Sequence, residues 1–217
     1  NKKHHKKHHK MKDLTGNGNL NDRTNKASQA YKVLQNYDLA FDIGTNVGGF
    51  SNAYYNKFNK IVAIEAHPLT YIFAKQNLSP YGNVEVINKA VSNVDNEEVA
   101  LYLHGNGDSG STSLIKLPSN SSPDEVHTVN TISYPSLIAK YGIPQYMKID
   151  CEGGEYNFLI NQDLSGVEFI AIEIHYAFLT ELHQQELLEY LLQDFQIHSM
   201  KEGKYGSHHP EYNFIRK

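Results

Sequence analysis

Four acids stand at or near the ends of apolar runs: Asp42 in DLAFDIG, Glu65 in KIVAIEA, Asp150 in QYMKIDC and Glu173 in EFIAIEIH. Each run has the length and content of a buried strand. An acid at the end of such a strand has no role in a core. Four of them at matching places point to a site beyond the carboxyl ends of a sheet's strands.

The first run leads straight into G-T-N-V-G-G at 44–49. Gly44 and Gly48 let the chain turn tightly and let a ligand approach the backbone. The helix that starts near Gly48 points its N-terminus at that ligand. Glu65 follows Gly44 by 21 residues, the spacing at which an acid takes hydrogen bonds from ribose hydroxyls. A dinucleotide loop wants a second glycine where Asn46 stands, and Asp42 would face its phosphates. An acid just before the loop suits a ligand carrying an ammonium and a sulfonium, as S-adenosylmethionine does.

The other chemistry-bearing stretches are KIDCEGGE (148–155) and IEIH (172–175). Lys148 and Asp150 alternate, so they share one side of a strand. Lys148 pairs with an acid or orients a substrate. Glu152 follows in a loop that Gly153 and Gly154 keep open to close approach. Glu155 falls in the first turn of the next helix, where it reads as a stabiliser of the helix dipole. Glu173 and His175 are again two apart. His175 has three readings: general base, metal ligand, or a satisfied structural histidine. Asp150, Glu173 and His175 together offer oxygen and nitrogen donors to Mg²⁺ or Mn²⁺.

These residues need a scaffold, and the sequence alternates strand and helix signals from residue 38 onward. A short helix is expected over 28–37, strands over 38–44, 60–66 and 84–91, and helices over 48–58 and 68–78. Two more strands, 99–105 and 126–132, flank the polar loops 105–113 and 118–125. A helix over 133–142 precedes strands at 145–151 and 168–175, with a helix at 154–160 between them. The helix 180–195 has Thr180 as N-cap and a leucine-rich side. The end reads as a closing hairpin. This alternation predicts an α/β fold with a largely parallel sheet covered on both faces.

The chain has 217 residues and is 40% hydrophobic, which suits one domain. Residues 1–12, NKKHHKKHHKMK, read as a disordered basic and His-rich tail, a tag or linker. Setting aside its six positive charges takes the formal net charge from −4 to −10. The acidic body argues against a nucleic-acid partner, whose binding relies on neutralising phosphates. No run reaches the roughly 20 apolar residues of a membrane helix. One cysteine, Cys151, fits a reducing compartment, so a cytoplasmic location is expected.

DIGTNVGGFS (42–51), AIEAHP (63–68), NKAVSN (88–93), KIDCEGGE (148–155) and IEIH (172–175) resemble, in order and spacing, the FkbM family of S-adenosylmethionine-dependent methyltransferases. The resemblance covers roughly 38–176 and implies a single methyltransferase domain over 13–217. It implies the class I Rossmann-like fold: a mostly parallel seven-stranded sheet, a C-terminal antiparallel hairpin, helices on both faces. It also implies O-methylation of a sugar, a glycan or a secondary metabolite. Carried over by position, Asp42, Gly44, Asn46 and Gly48 line the methionine part of the cofactor. Glu65 binds the ribose with Ala66 beside it, and Asn88, Ala90 and Ser92 lie near the adenine. Lys148, Asp150, Glu152 and His175 are then the catalytic candidates. Family members usually carry an acid where this chain has Ser133.

The loops at 105–113 and 118–125 are candidates for the acceptor pocket, with His104, Asp108, Ser109, Ser111 and Thr112 as polyol partners. Tyr176, just past IEIH, is placed to stack on a sugar face. The short lead-in suggests a piece of a larger protein whose other domains build the glycan. Three rival readings stand: a nucleic-acid or protein N-methyltransferase, which usually carries an Asn/Asp-Pro-Pro-aromatic run where this chain has D-C-E-G, a nicotinamide-dependent oxidoreductase, and a binding module on the same fold.

Overall fold

The structure is a computed structural model and describes residues 31–103, 112–113, 125–151, 153–175, 179–203 and 206–217. Strand β1 (Tyr37–Ile43) is followed by helix α1 (Gly49–Tyr54), a 3-10 turn at 55–57 and β2 (Phe58–Glu65). Helix α2 (Pro68–Leu78) leads to β3 (Val84–Asn88) and β4 (Ala90–Val91). Next come β5 (Glu98–Leu103), β6 (Thr112–Ser113), β7 (Glu125–Ile132) and α3 (Tyr134–Tyr141). The chain ends with β8 (Tyr146–Ile149), α4 (Glu155–Leu159), β9 (Phe169–Glu173), α5 (Glu181–Asp194), β10 (Phe195–Gly203) and β11 (Gly206–Arg216).

Seven strands form the main sheet, in the order β10-β11-β9-β8-β1-β2-β3. The five from β9 to β3 are parallel; β11 and β10 close the sheet as an antiparallel hairpin. The expected architecture is therefore present. Period-2 alternation divides the core between two faces. Leu39, Phe41 and Ile43 of β1 join Met147, Ile149, Ile170 and Ile172 under α3, α4 and α5, where Leu137, Phe158, Leu187 and Leu191 are buried. On the other face Ala40 meets Tyr146, Phe169 and Ala171 beneath Phe50 of α1. Strand order reverses at β1, so the crevice between β1 and β8 is the place where such a sheet takes its ligand.

Three expectations are corrected. Residues 31–36 hold no helix, and 28–30 lie outside the described residues. The backbone there bonds to the sheet instead: the Tyr146 hydroxyl donates to the Lys32 carbonyl at 2.6 Å, and Lys32 N–H donates to Asn213 Oδ1 at 3.4 Å. The expected helix 48–58 stops at Tyr54, and Phe58 already belongs to β2. The expected strand 84–91 breaks at Lys89. Before it the chain pairs with β2; after it Ala90 and Val91 pair with Thr131 and Ile132 of β7. That switch founds a second sheet, β4-β7-β5-β6.

Ser133, the departure from the family pattern, caps α3: its Oγ accepts from Ser136 N–H. An acid from the turn before β5 meets it. Asp95 takes hydrogen bonds from Ser133 N–H, Ser133 Oγ and Ser136 Oγ at 2.8, 3.1 and 2.7 Å. These bonds, led by the one from the Ser133 amide, hold its carboxyl below the usual range.

Candidate active site

The glycine loop sits at the reversal point because its backbone is pressed between two strands. Gly44 N–H and Thr45 N–H both donate to Ile64 O, and Asp150 N–H donates to Ile43 O. Gly44 has φ +73°, and a Cβ there would lie 1.7 Å from the Asp150 carbonyl oxygen. Only glycine fits. Asn46 also takes the left-handed region, φ 57°, which an asparagine tolerates.

Asp42 is held by the chain's own donors. It is fully buried, and Thr45 Oγ1 and Ser51 Oγ both donate to its Oδ2 at 2.6 Å. Lys148 Nζ lies 3.1 Å from its Oδ1. The two are register partners on β1 and β8, so the sheet itself brings them together. Lys148 also donates to the Gly44 carbonyl at 2.7 Å and lies 5.4 Å from the Tyr31 ring centroid. Burial works against its charge, but Asp42, Asp150 and Glu65 outweigh that and push its pKa up. A lysine held charged is no proton acceptor. It ties the glycine loop to β8.

Glu65 ends β2 with its carboxylate turned to the loop. Oε1 accepts from Asn46 N–H at 2.9 Å and Oε2 from His67 N–H at 3.0 Å. Burial pushes it up to about 7 in spite of those two bonds. Asn88 binds main chain rather than a free edge: its Nδ2 donates to the Glu65 and Ala66 carbonyls at 2.8 and 2.9 Å. Ala90 is buried with Leu101 and Val129, and Ala66 packs against that cluster. Ser92 N–H donates to Ile132 O. Asn88 and Ala90 thus shape the wall beside Glu65.

Asp150 and Glu173 stand at the ends of neighbouring strands, with side chains 29% and 21% exposed. His175 lies behind them, 2% exposed. Its Nε2 is 3.3 Å from Asp150 Oδ1 and 3.9 Å from Glu173 Oε1. Donor atoms of these three all lie within 4.8 Å of one another. Burial would raise Asp150, but the hydrogen bond and charge of His175, with Lys148, hold it well below the usual carboxylate range. The imidazole thus lies behind the carboxylate, and the carboxylate is the more exposed of the two.

Sequence reasoning missed Tyr31, Glu211 and the burial of Glu155. The Tyr31 hydroxyl donates to Asp150 Oδ2 at 3.4 Å, and burial and the surrounding acids keep that hydroxyl protonated. Glu211 is the register partner of Glu173 on β11, and burial pushes it up. Like charges directly opposite each other are a recognisable signal once strand pairing is known. Glu152, His104, Asp108, Ser109, Ser111 and Tyr176 lie outside the described residues, as does the tail 1–12, and nothing is described of the Thr112 side chain.

This sheet order, with its acid-lined reversal point, is that of the Rossmann-like methyltransferases. The sequence model of the methyltransferase FkbM domain matches residues 42–200, and the chain belongs to that family. The chain is 15% identical to the methyltransferase FkbM of Methylobacillus flagellatus, with a TM-score of 0.55, covering 87% of this chain and 46% of that one. It shares the fold of the fibrillarin pre-rRNA processing protein of Methanococcus jannaschii at 13% identity and a TM-score of 0.55, covering 91% of this chain and 76% of that one. An uncharacterized protein of Methanocaldococcus jannaschii is 35% identical over 71 residues, 32% of this chain and 27% of that protein. The chain thus spans less than half of the Methylobacillus chain and of the Methanocaldococcus protein. Among the described residues no helix is long and apolar enough to cross a membrane.

Proposed function

We propose that the chain transfers a methyl group from S-adenosylmethionine to a hydroxyl of a sugar, a glycan or a similar polyol. The observation that carries the cofactor reading is Glu65. Each of its oxygens holds one backbone N–H, yet the carboxyl is still raised to about 7. It lacks donors, and a ribose diol supplies two. When bound, the cofactor offers an electrophilic methyl group on a sulfonium.

The chain's own residues then place the acceptor and take its proton. The hydroxyl meets the exposed edge of Asp150 and Glu173. Glu65 and the loop at 44–49 would hold the cofactor, whose methyl group would pass to that oxygen as the carbon–sulfur bond breaks. The hydroxyl proton passes by way of Asp150 to Nε2 of His175, 3.3 Å behind, which takes it when the ring starts neutral. Asp150 alone, held strongly acidic, is a poor resting place for it. Lys148 keeps the loop and β8 in register throughout.

A second reading follows from the closeness of the Asp150, Glu173 and His175 donors, a set that suits Mg²⁺ or Mn²⁺. A cation there would lower the pKa of the acceptor hydroxyl directly.

Calorimetric titration with S-adenosylmethionine tests the cofactor; no binding overturns the proposal. Transfer of labelled methyl to a panel of sugars and glycosides, with and without a chelator, tests the rest. Chelator-resistant transfer favours the proton path, and chelator-sensitive transfer favours the cation. Cofactor binding without transfer to any sugar removes the sugar reading and turns attention to other metabolite alcohols.

A further inference from the structure

We infer that Glu211 sets acceptor specificity: it hydrogen-bonds a second hydroxyl of the acceptor, next to the one that meets Asp150 and Glu173, so the site takes a polyol and turns away a simple alcohol. The inference rests on the proposed function for where the acceptor lies, and goes beyond it in naming the residue that reads it.

The sheet brings Glu211 to the cleft. Tyr146 of β8 and Phe169 and Ala171 of β9 face the cluster beneath Phe50. By period-2 alternation Lys148, Asp150 and Glu173 continue that face toward the carboxyl ends of their strands. β11 runs the other way, so its early residues reach the same end: Asn213 pairs with Ala171, and Glu211 with Glu173. Asp150, Glu173 and Glu211 thus form a row across β8, β9 and β11. Pro210 is tied in beside them, its carbonyl accepting from Ile174 N–H at 3.0 Å. Tyr31 lies against the row. It is 5% exposed, its hydroxyl donates to Asp150, and its carbonyl accepts from the Tyr54 hydroxyl at 3.2 Å. The charges of Asp150, Glu173 and Glu211 all reach its hydroxyl. Tyr31 and Glu211 both lie outside residues 42–200, the segment matched to the family. A feature that reads one acceptor belongs there, apart from the common cofactor machinery.

What sets Glu211 apart is its lack of a donor. Asp150 has Tyr31, His175 and Lys148 about it. Glu211 stands between Glu173 on β9 and Lys201 on β10. Lys201 is exposed and acts on it through charge. Glu211 Oε2 is buried and has no hydrogen-bond partner among the described residues. Like charges directly opposite each other destabilise a sheet, and a buried acceptor without a donor costs further free energy. A single alcohol at Asp150 leaves Oε2 as it is. A neighbouring hydroxyl on the same acceptor supplies the partner. The contact holds whether the carboxyl is charged or neutral, since either form bonds a hydroxyl. A site built around such a contact rejects the analogue that lacks the hydroxyl.

Saturation-transfer and chemical-shift titrations of the intact chain test this in the presence of S-adenosylhomocysteine, which has no methyl group to give. The probes are methyl glycosides of common hexoses, each with its monodeoxy analogues, and cyclohexanol as a simple alcohol. The expected result is that a glycoside binds and that removing the hydroxyl held by Glu211 weakens it roughly 10- to 100-fold. Glu211→Met, which keeps the volume and removes both oxygens, should weaken the parent glycoside by the same factor and leave that deoxy analogue as it was. Glu211→Gln should recover part of the loss. A folded Glu211→Met protein that binds the parent glycoside as wild type does overturns the inference. So does a wild-type chain that binds none of the glycosides, or that binds every deoxy analogue and cyclohexanol as tightly as the parents. If Glu211→Met does not fold, Glu211→Gln takes its place: a loss confined to the parent glycoside supports the inference, and an unchanged affinity overturns it. Calorimetry with S-adenosylmethionine is run separately. Absent cofactor binding overturns the proposed function, while the glycoside titrations, repeated without cofactor, still decide this point.

Discussion

The two halves of the cleft neutralise their buried acids in different ways. On the β1–β2 side, Asp42 takes two hydroxyls and a lysine, and Glu65 takes two backbone amides. All these donors belong to the loop, to α1, to β8 or to the turn after β2, so that half is assembled before any ligand arrives. On the β8–β9–β11 side, Asp150, Glu173 and Glu211 face one another, and a single buried histidine stands among them. There His175 and Lys148 keep Asp150 ionised, while burial pushes Glu211 up. Under the proposed function the first half would take the cofactor and the second would receive the acceptor's proton.

Removing Lys148 should break the first half outright. Lys148→Met leaves Asp42 fully buried with its charge unpaired, which costs on the order of 3–5 kcal/mol. Thermal or urea unfolding will read this; a melting curve within a degree or two of wild type would mean that Thr45 and Ser51 suffice for Asp42. The other half should respond in rate, not in fold. His175→Gln is expected to lower methyl transfer by roughly 10²- to 10⁴-fold, the scale of a lost proton acceptor, while cofactor affinity stays as it was. Unchanged turnover would move the proton elsewhere.

How much of this contrast was readable in the sequence follows from which contacts are local. The four acids stood out because apolar runs of strand length end at or beside them, and the glycines beside Asp42 marked the turn. The switch at Lys89 was not readable. VEVINKAV is one continuous strand pattern, and only the arrival of β7, some 40 residues later, divides it between two sheets. Residues 31–36 carry a helix-like pattern, but their backbone partners are Tyr146 and Asn213, far along the chain. Nothing local reveals that Lys148 lies opposite Asp42 in register. Glu155 looked like an ordinary acid in a first helical turn; its bond from the His175 amide exists only because β9 ends above it.

Glu65 gives a finer comparison, since burial raises it to about 7. An acid raised in the folded state makes the empty protein less stable as pH climbs. The loss begins near its ordinary value of 4.5 and is complete above about 7. Cofactor binding runs the opposite way: ribose hydroxyls donate to the charged form, so affinity should rise with pH up to about 7 and then level. Below that, affinity should fall by about tenfold per pH unit, with one proton released on binding. Glu65→Gln should weaken binding by roughly 1.5–3 kcal/mol and flatten the profile. Calorimetry in buffers of different ionisation heat counts the proton; a flat wild-type profile would show that Glu65 is not the ribose acid.

The smallest effect concerns the helices that flank the two halves. Helix α5, after β9, is capped by Thr180, whose side chain accepts from His183 N–H at 3.1 Å. Helix α2, after β2, is capped by His67, whose Nδ1 accepts from Leu69 N–H and Thr70 N–H at 3.2 and 3.3 Å. Thr180→Ala should cost about 1 kcal/mol. His67→Ala strips the cap from two amides, next to the turn that carries Glu65, and should cost at least as much. Melting curves of the two variants make the comparison. A smaller loss at His67 than at Thr180 would mean that α2 does not depend on its histidine cap.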